Sequence, residues 1–266
     1  MPEISQPGFR EFLPSANQAL AELEEATGKP VQIVEDPQLN VLATIRRAGA
    51  GEASHVLRIK GGENQAADYL IVFECRMALP DGPGQRSVLR DNAPVREQVI
   101  RECQELHRQL PPDRAQELGR FIYRGLILQL RSMGPGMLVD RWIREDCPDL
   151  RDAQAQAMEA EITGNLAVLK PSTRGNYPAA IYDASVAMNA AYAIHGGDLL
   201  GKPYLSVPYR SQGYGETGSR LIALALGTGG ASEEQTDRQI IDAWAQELGV
   251  DGWYEWSELS EEGPGA

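Results

Sequence analysis

Between Val31 and Ile59 the chain alternates short β-branched runs with turn formers. Val31 to Val34, Val41 to Ile45 and Val56 to Ile59 are separated by Asp36-Pro37 and by Gly49 to Gly51. Runs of this kind bounded by Gly, Pro and Asp read as strands, so a small antiparallel or mixed sheet is predicted. On both sides of these strands the spacing of apolar residues turns helical. Ser15 precedes Ala16, Ala19, Leu20 and Leu23 on one face, and Gly28 followed by Pro30 closes the segment. A first helix capped by Ser15 is therefore predicted. After Gly61-Gly62, from about Asn64 to Leu79, Leu70, Ile71, Phe73, Met77 and Ala78 surround the axis on nearly every side. That is the pattern of a buried helix.

Pro80-Asp81-Gly82-Pro83-Gly84 breaks this helix, and the polar stretch onward to Pro94 is the predicted domain boundary. Beyond Pro94 nearly everything has helical spacing: Val95 to Leu110, Pro112 to Ser132, Met137 to Cys147, Leu150 to Leu169, Ala179 to Leu200, Thr217 to Leu226 and Glu233 to Leu248. Pro112 suits a first turn, and Gly134-Pro135-Gly136 is expected to end the helix that Pro112 opens. The predicted fold class is α+β, with a small N-terminal sheet packed on a buried helix and a largely helical C-terminal part. Residues 1–85 form the α/β core, and residues 94–266 form the helical part, packed on the first as one unit.

A chain of 266 residues, 42% hydrophobic and 24% charged, is long and apolar enough to bury a core. Its 38 acidic against 25 basic residues give a net charge of -13, which repels phosphate backbones and anionic lipid surfaces. No nucleic-acid and no membrane partner is expected. No segment reaches the roughly 18 apolar residues of a membrane span. Met1-Pro2-Glu3-Ile4-Ser5 opens no basic-then-apolar leader, so a cytoplasmic location is expected. From Glu233 to Glu262 ten acids face Arg238 alone, which reads as a solvated face. Cys75, Cys103 and Cys147 form no CxxC pair, and reduced thiols are expected.

The segment that bears on chemistry is Asp68-Tyr69-Leu70-Ile71-Val72-Phe73-Glu74-Cys75-Arg76-Met77. The order of one helix, three strands and then a buried helix with this segment resembles the catalytic core of zinc metallopeptidases of the zincin class. The pattern His-Glu-x-x-His lies on such a helix, two histidines holding zinc while the glutamate acts as general base. On this chain the first histidine position is Phe73, the glutamate is Glu74 and the second histidine position is Met77. A third ligand in the glutamate-using branch comes from a downstream helix, where Leu138-Val139-Asp140-Arg141-Trp142-Ile143 offers Asp140. Neither phenylalanine nor methionine replaces a neutral imidazole on Zn²⁺, so the resemblance implies a scaffold without a working zinc site and no cofactor. Glu74 is the candidate catalytic residue, in the place of the general base. Arg76, Asp140 and Arg141 are the candidate binding residues, with Arg76 also the expected ion-pair partner of Glu74.

Other motifs are thinner. Cys103 and His107 stand four apart, a spacing at which both could reach one metal, but no further Cys or His is near in sequence. His55 is isolated, and His195 reads as a cation favoured by a helix end. Gly213-Tyr214-Gly215-Glu216-Thr217-Gly218 matches GxGxxG without the buried strand that a dinucleotide site needs before it. Lys170 to Gly175 is a compact basic loop, and Trp253, Tyr254 and Trp256 are expected to cover a core edge. The functional expectation is a non-catalytic, regulatory protein that binds a protein or peptide, with a cleft at the sheet edge where a peptide adds as a strand. The alternatives are a hydrolase with a metal or thiol site around Glu74, Cys75 and Asp140, and a structural subunit of a larger complex.

Overall fold

The computed structural model describes residues 11–39, 41–49, 51–60, 66–79, 86–227 and 234–259. The chain divides into two compact units, Met1–Leu79 with Ile143–Gln154, and Pro80–Trp142 with Ala155–Ala266. The break after Leu79 falls at the start of the stretch where the boundary is predicted. Pro80 to Gly84 themselves lie outside the described residues, as do Asn64 and Gln65 at the start of the predicted buried helix.

In the first unit, helix α1 (Pro14–Thr27) buries Ala16, Ala19 and Leu23 and ends on Gly28 at φ 67. That left-handed conformation is open to glycine at little cost, and its N–H closes back on Glu24. Ser15 is not the cap: Leu13 holds that position without a side-chain bond, and Pro14 starts the helix. Proline's fixed φ and missing N–H suit the first helical position, which moves the start one residue earlier. The Ser15 hydroxyl instead donates to Asp149 Oδ1 at 2.6 Å.

Strands β1 (Val31–Glu35), β2 (Ala43–Arg46) and β3 (His55–Ile59) form a mixed sheet in the order β1-β3-β2, with β1 parallel and β2 antiparallel to β3. Helix α2 (Ala67–Ala78) packs against α1 and the sheet, burying Tyr69, Leu70, Ile71, Val72 and Cys75.

The second unit holds β4 (Arg86–Asp91) and α3 (Ala93–Leu106), whose first turn is capped by Asn92. Helix α4 (Pro112–Asp146) follows, then α5 (Arg151–Asn165), the single turn α6 (Pro171–Arg174) and α7 (Ala179–Leu200). The chain closes with α8 (Val207–Ser211), α9 (Gly215–Gly227), α10 (Glu234–Leu248) and β5 (Tyr254–Leu259). The ends of α4 and α5 that fall within 143–154 group with the first unit. Helix α7 is buried almost all round, from Ile181 to Gly197.

Two predictions fail here. Gly134-Pro135-Gly136 does not end a helix, because α4 runs unbroken through Pro135 for 35 residues. Proline costs the helix one hydrogen bond and a steric clash, but Leu130, Met137 and Leu138 are buried on both sides of it. A Cβ built on Gly134 would stand 2.6 Å from Ile240 Cγ2, so α10 packs where any side chain would intrude. Tertiary burial thus overrides the local break. The second failure is the antiparallel pair β4-β5, which the sequence reading misses and which joins Asp91 to Tyr254. Trp253 and Tyr254 do close a core edge: Trp253 stacks on Tyr123 at 6.3 Å, and the Tyr254 hydroxyl donates to Asp242. Part of the acidic C-terminal run, including Glu233, Glu261 and Glu262, lies outside the described residues.

Candidate functional site

The segment from Asp68 to Met77 lies in α2, and its Glu74 is tied to the sheet. Every second residue of β2 turns its N–H away from β3. Lys60 donates to Leu42 across the pair, which fixes Ile45 as an outward position. Glu74 Oε2 accepts that Ile45 N–H at 2.9 Å. Burial holds the Glu74 carboxyl above the ordinary carboxylate range, and the Ile45 bond opposes the shift. β2 is an outer strand, so the same bond occupies part of the edge where an added strand would pair.

The expected Glu74–Arg76 ion pair does not form. Two positions apart on a helix means about 200° of rotation, and the two side chains leave on opposite faces. Arg76 reaches Glu22 of α1 instead, at 3.5 Å. Phe73 is half-buried and tilts against Tyr69 at 6.0 Å, and Met77 is also half-buried. Cys75 is 1% exposed, and burial, then the negative charges of Glu74 and Glu22, pushes its thiol up to about 12. At neutral pH it stays protonated and is a poor nucleophile.

Asp140 and Arg141 belong to α4 in the second unit, whereas Glu74 and Arg76 belong to the first. Asp140 is fully buried and Arg141 half-buried. Arg141 bears on His195 in α7. Burial first, and then the Arg141 charge, lowers the imidazole to about 4, opposed by the Met137 backbone and Asp198. His195 is therefore neutral at pH 7, which corrects the expectation of a helix-end cation. The macrodipole term is worth too little to offset removal from water.

The remaining histidines are bound up in structure. His107, at the end of α3, directs Nε2 at the Asn176 carbonyl, 2.9 Å away, so that nitrogen carries the proton and donates. Cys103 is fully buried and its thiol is raised to about 11 by burial and Glu102. His55 accepts the Ala48 N–H on Nδ1, which leaves Nε2–H to donate to Thr27 Oγ1 at 2.8 Å. Among the described residues, no three His, Cys, Asp or Glu side chains lie close enough to hold a metal ion. Gly213 and Gly215 flank the turn between α8 and α9, so the GxGxxG match follows a helix and not a strand. The basic loop is α6, where Arg174 lies over the Tyr182 ring and 3.7 Å from Asp183.

Within the second unit lies a groove that the sequence reading did not anticipate, about 230 Å³ in volume, with walls from α4 and α7. Phe121, Ile122, Leu126 and Ile181 make it apolar. Its polar floor is satisfied internally: Gln129 Nε2 donates to Asn189 Oδ1 at 2.9 Å, and Gln129 Oε1 accepts the Ser185 hydroxyl at 2.8 Å. Phe121 is 70% exposed and Leu128 is 58% exposed. The signal for it was present in the sequence. Phe121, Gly125 and Leu128 share one helical face, while Ile122, Tyr123, Leu126, Ile127 and Leu130 already supply a core face. A helix with two apolar faces has more than one surface to cover.

No helix among the described residues is long and apolar enough to cross a membrane. Comparison of the chain with protein-family models, with curated proteins and with solved structures finds no match.

Proposed function

We propose that this chain is a non-catalytic, regulatory protein of the cytoplasm that binds a protein or peptide partner, on a scaffold resembling a zincin in the order of its first elements. The observation that carries the reading is the bond from the Ile45 N–H to Glu74 Oε2. A general base must have its carboxylate free to take a proton from water or substrate. One Glu74 oxygen, Oε2, accepts the Ile45 N–H and ties the side chain to β2, and Phe73 and Met77 stand where imidazoles would be needed. A thiol mechanism gains no support from Cys75, whose thiol is raised to about 12.

The test sets denaturant unfolding beside hydrolysis of a mixed peptide substrate, for the native chain and for Glu74→Gln. Glutamine still offers an oxygen to the Ile45 N–H, so the expected result is an unchanged or higher midpoint at neutral pH and no hydrolysis by either protein. Hydrolysis by the native chain that drops by roughly 100-fold or more in Glu74→Gln, at an unchanged midpoint, overturns the reading. One tightly held zinc per chain in protein purified without chelator or nickel overturns it too.

A further inference from the structure

We propose that the groove between α4 and α7 is the docking surface for the partner, and that the partner presents an acidic amphipathic segment. One of its apolar side chains sits in the groove while its carboxylates face arginines on either side. The proposal rests on the reading of the chain as a protein-binding protein and adds where the partner binds and what its chemistry is.

The shape comes first. Phe121, Gly125 and Leu128 follow one another at four and three positions along the exposed face of α4. Between the two exposed side chains Gly125 has none, and a Cβ built there meets nothing within 4 Å. Glycine inside a helix costs roughly 1 kcal/mol relative to alanine, and here no neighbour demands it. What it does leave is a dip that continues over Ile181 and Tyr182 of α7. At about 230 Å³ the space is smaller than the roughly 300 to 1,000 Å³ of a small-molecule pocket. That size suits a single anchoring side chain of an amphipathic helix laid in the groove.

The charge comes second. Arg120, Arg124 and Arg131 recur at four and seven positions, an exposed basic stripe beside Phe121 and Leu128 on α4. Arg124 is 70% exposed, with Asp91 only at 4.0 Å. Among the described residues, no carboxylate pairs with Arg120 or Arg131. Next to the far wall Arg174, 68% exposed, lies 5.6 Å from the centre of the Tyr182 ring. A chain of net charge -13 thus sets Arg120, Arg124 and Arg131 along one side of an apolar groove, while Arg174 on the other side shares its charge with Asp183 at 3.7 Å. Complementary potential at an interface steers encounter and excludes wrong partners, and here it selects an acidic one. Anionic lipid would meet the same arginines, but the net charge of -13 opposes a membrane surface.

The test is selection of a random-peptide library on the immobilised full chain, followed by anisotropy titration of enriched peptides against the native protein, Gly125→Leu and Arg124→Glu. Leucine at 125 fills the dip, and both sites face solvent, so both variants should fold, Gly125→Leu with an equal or higher unfolding midpoint. Enriched peptides are expected to carry net negative charge with apolar residues at three- and four-residue spacing. Each substitution should weaken binding by at least about tenfold, and added salt should weaken it further. Enrichment of neutral or basic peptides overturns the proposal, as does unchanged binding to both variants. Failure to enrich any peptide, with phosphatidylglycerol vesicles bound by the native chain and not by Gly125→Leu, overturns it in favour of lipid. Acidic peptides that bind both variants normally place the site elsewhere and leave the binding reading intact, whereas hydrolysis lost in Glu74→Gln removes that reading itself.

Discussion

The Glu74 carboxylate and the backbone N–H of Ile45 join helix α2 to the outer strand of the sheet across 2.9 Å. Replacing Glu74 by alanine leaves the Ile45 N–H without its acceptor in a half-buried place, and the expected loss is about 1 to 2 kcal/mol in denaturant unfolding. Glutamine behaves differently. The Glu74 pKa is raised, so the folded state binds more protons than the unfolded one between the unfolded value and the raised folded value, and the native chain loses stability as pH rises through that window. Glu74→Gln removes this slope. Its midpoint at neutral pH should equal or exceed that of the native chain, and a lower one would show that a cation depends on Glu74.

Two glycines of α4 should respond in opposite directions to the same change. At Gly125 a Cβ meets nothing within 4 Å, and alanine should stabilise by up to about 1 kcal/mol through helix propensity. At Gly134 a Cβ would lie 2.6 Å from Ile240 Cγ2 and 3.3 Å from the Trp244 ring, and alanine should destabilise by roughly 1 to 3 kcal/mol. Thermal or denaturant melts of the two single variants decide it. Equal effects would remove the close approach of α10 to α4.

His195 gives a pH dependence of the other sign from that of Glu74. Its folded pKa is lowered to about 4 from an ordinary value of 6.5, so between those limits the unfolded state binds more protons. Stability from this residue is complete above the unfolded value and falls as the pH drops towards 4. Between pH 7 and pH 5 the loss should be about 2 kcal/mol. A His195→Gln chain, compared with the native one at both pH values, should lack that part of the slope. A parallel shift of both curves would put the acid sensitivity elsewhere.

Cys75, Cys103 and Cys147 are all buried, with Cys75 raised to about 12 and Cys103 to about 11. Reaction with an aromatic disulfide reagent at pH 8 should therefore be slow in the native state and limited by opening of the chain. Complete reaction in denaturant with little in the folded protein is the expected pattern. A fast single-thiol phase in the folded protein would revive the thiol-enzyme alternative.

Much of the local architecture was legible in the amino-acid sequence because it depends on neighbours within a few residues. The three β-branched runs place β1, β2 and β3 to within a residue or two, Gly28 ends α1, and the helical spacing from Ala179 to Leu200 is α7 at the same bounds. The net charge of -13 and the absence of long apolar runs are likewise properties of composition.

What tertiary structure decided is everything that depends on a partner far along the chain. Pro135 stays inside α4 because Ile240 and Trp244 of α10 pack against Gly134, and no window around Pro135 contains that contact. Asp91 pairs with Tyr254, and Arg76 takes Glu22 in place of Glu74. His195 is neutral because burial and Arg141 outweigh any helix-end effect. The groove exists because α7 leaves one apolar face of α4 uncovered at Gly125. Hydrogen-bond partners, desolvation and concavity arise between surfaces, and those surfaces meet only once the chain has folded.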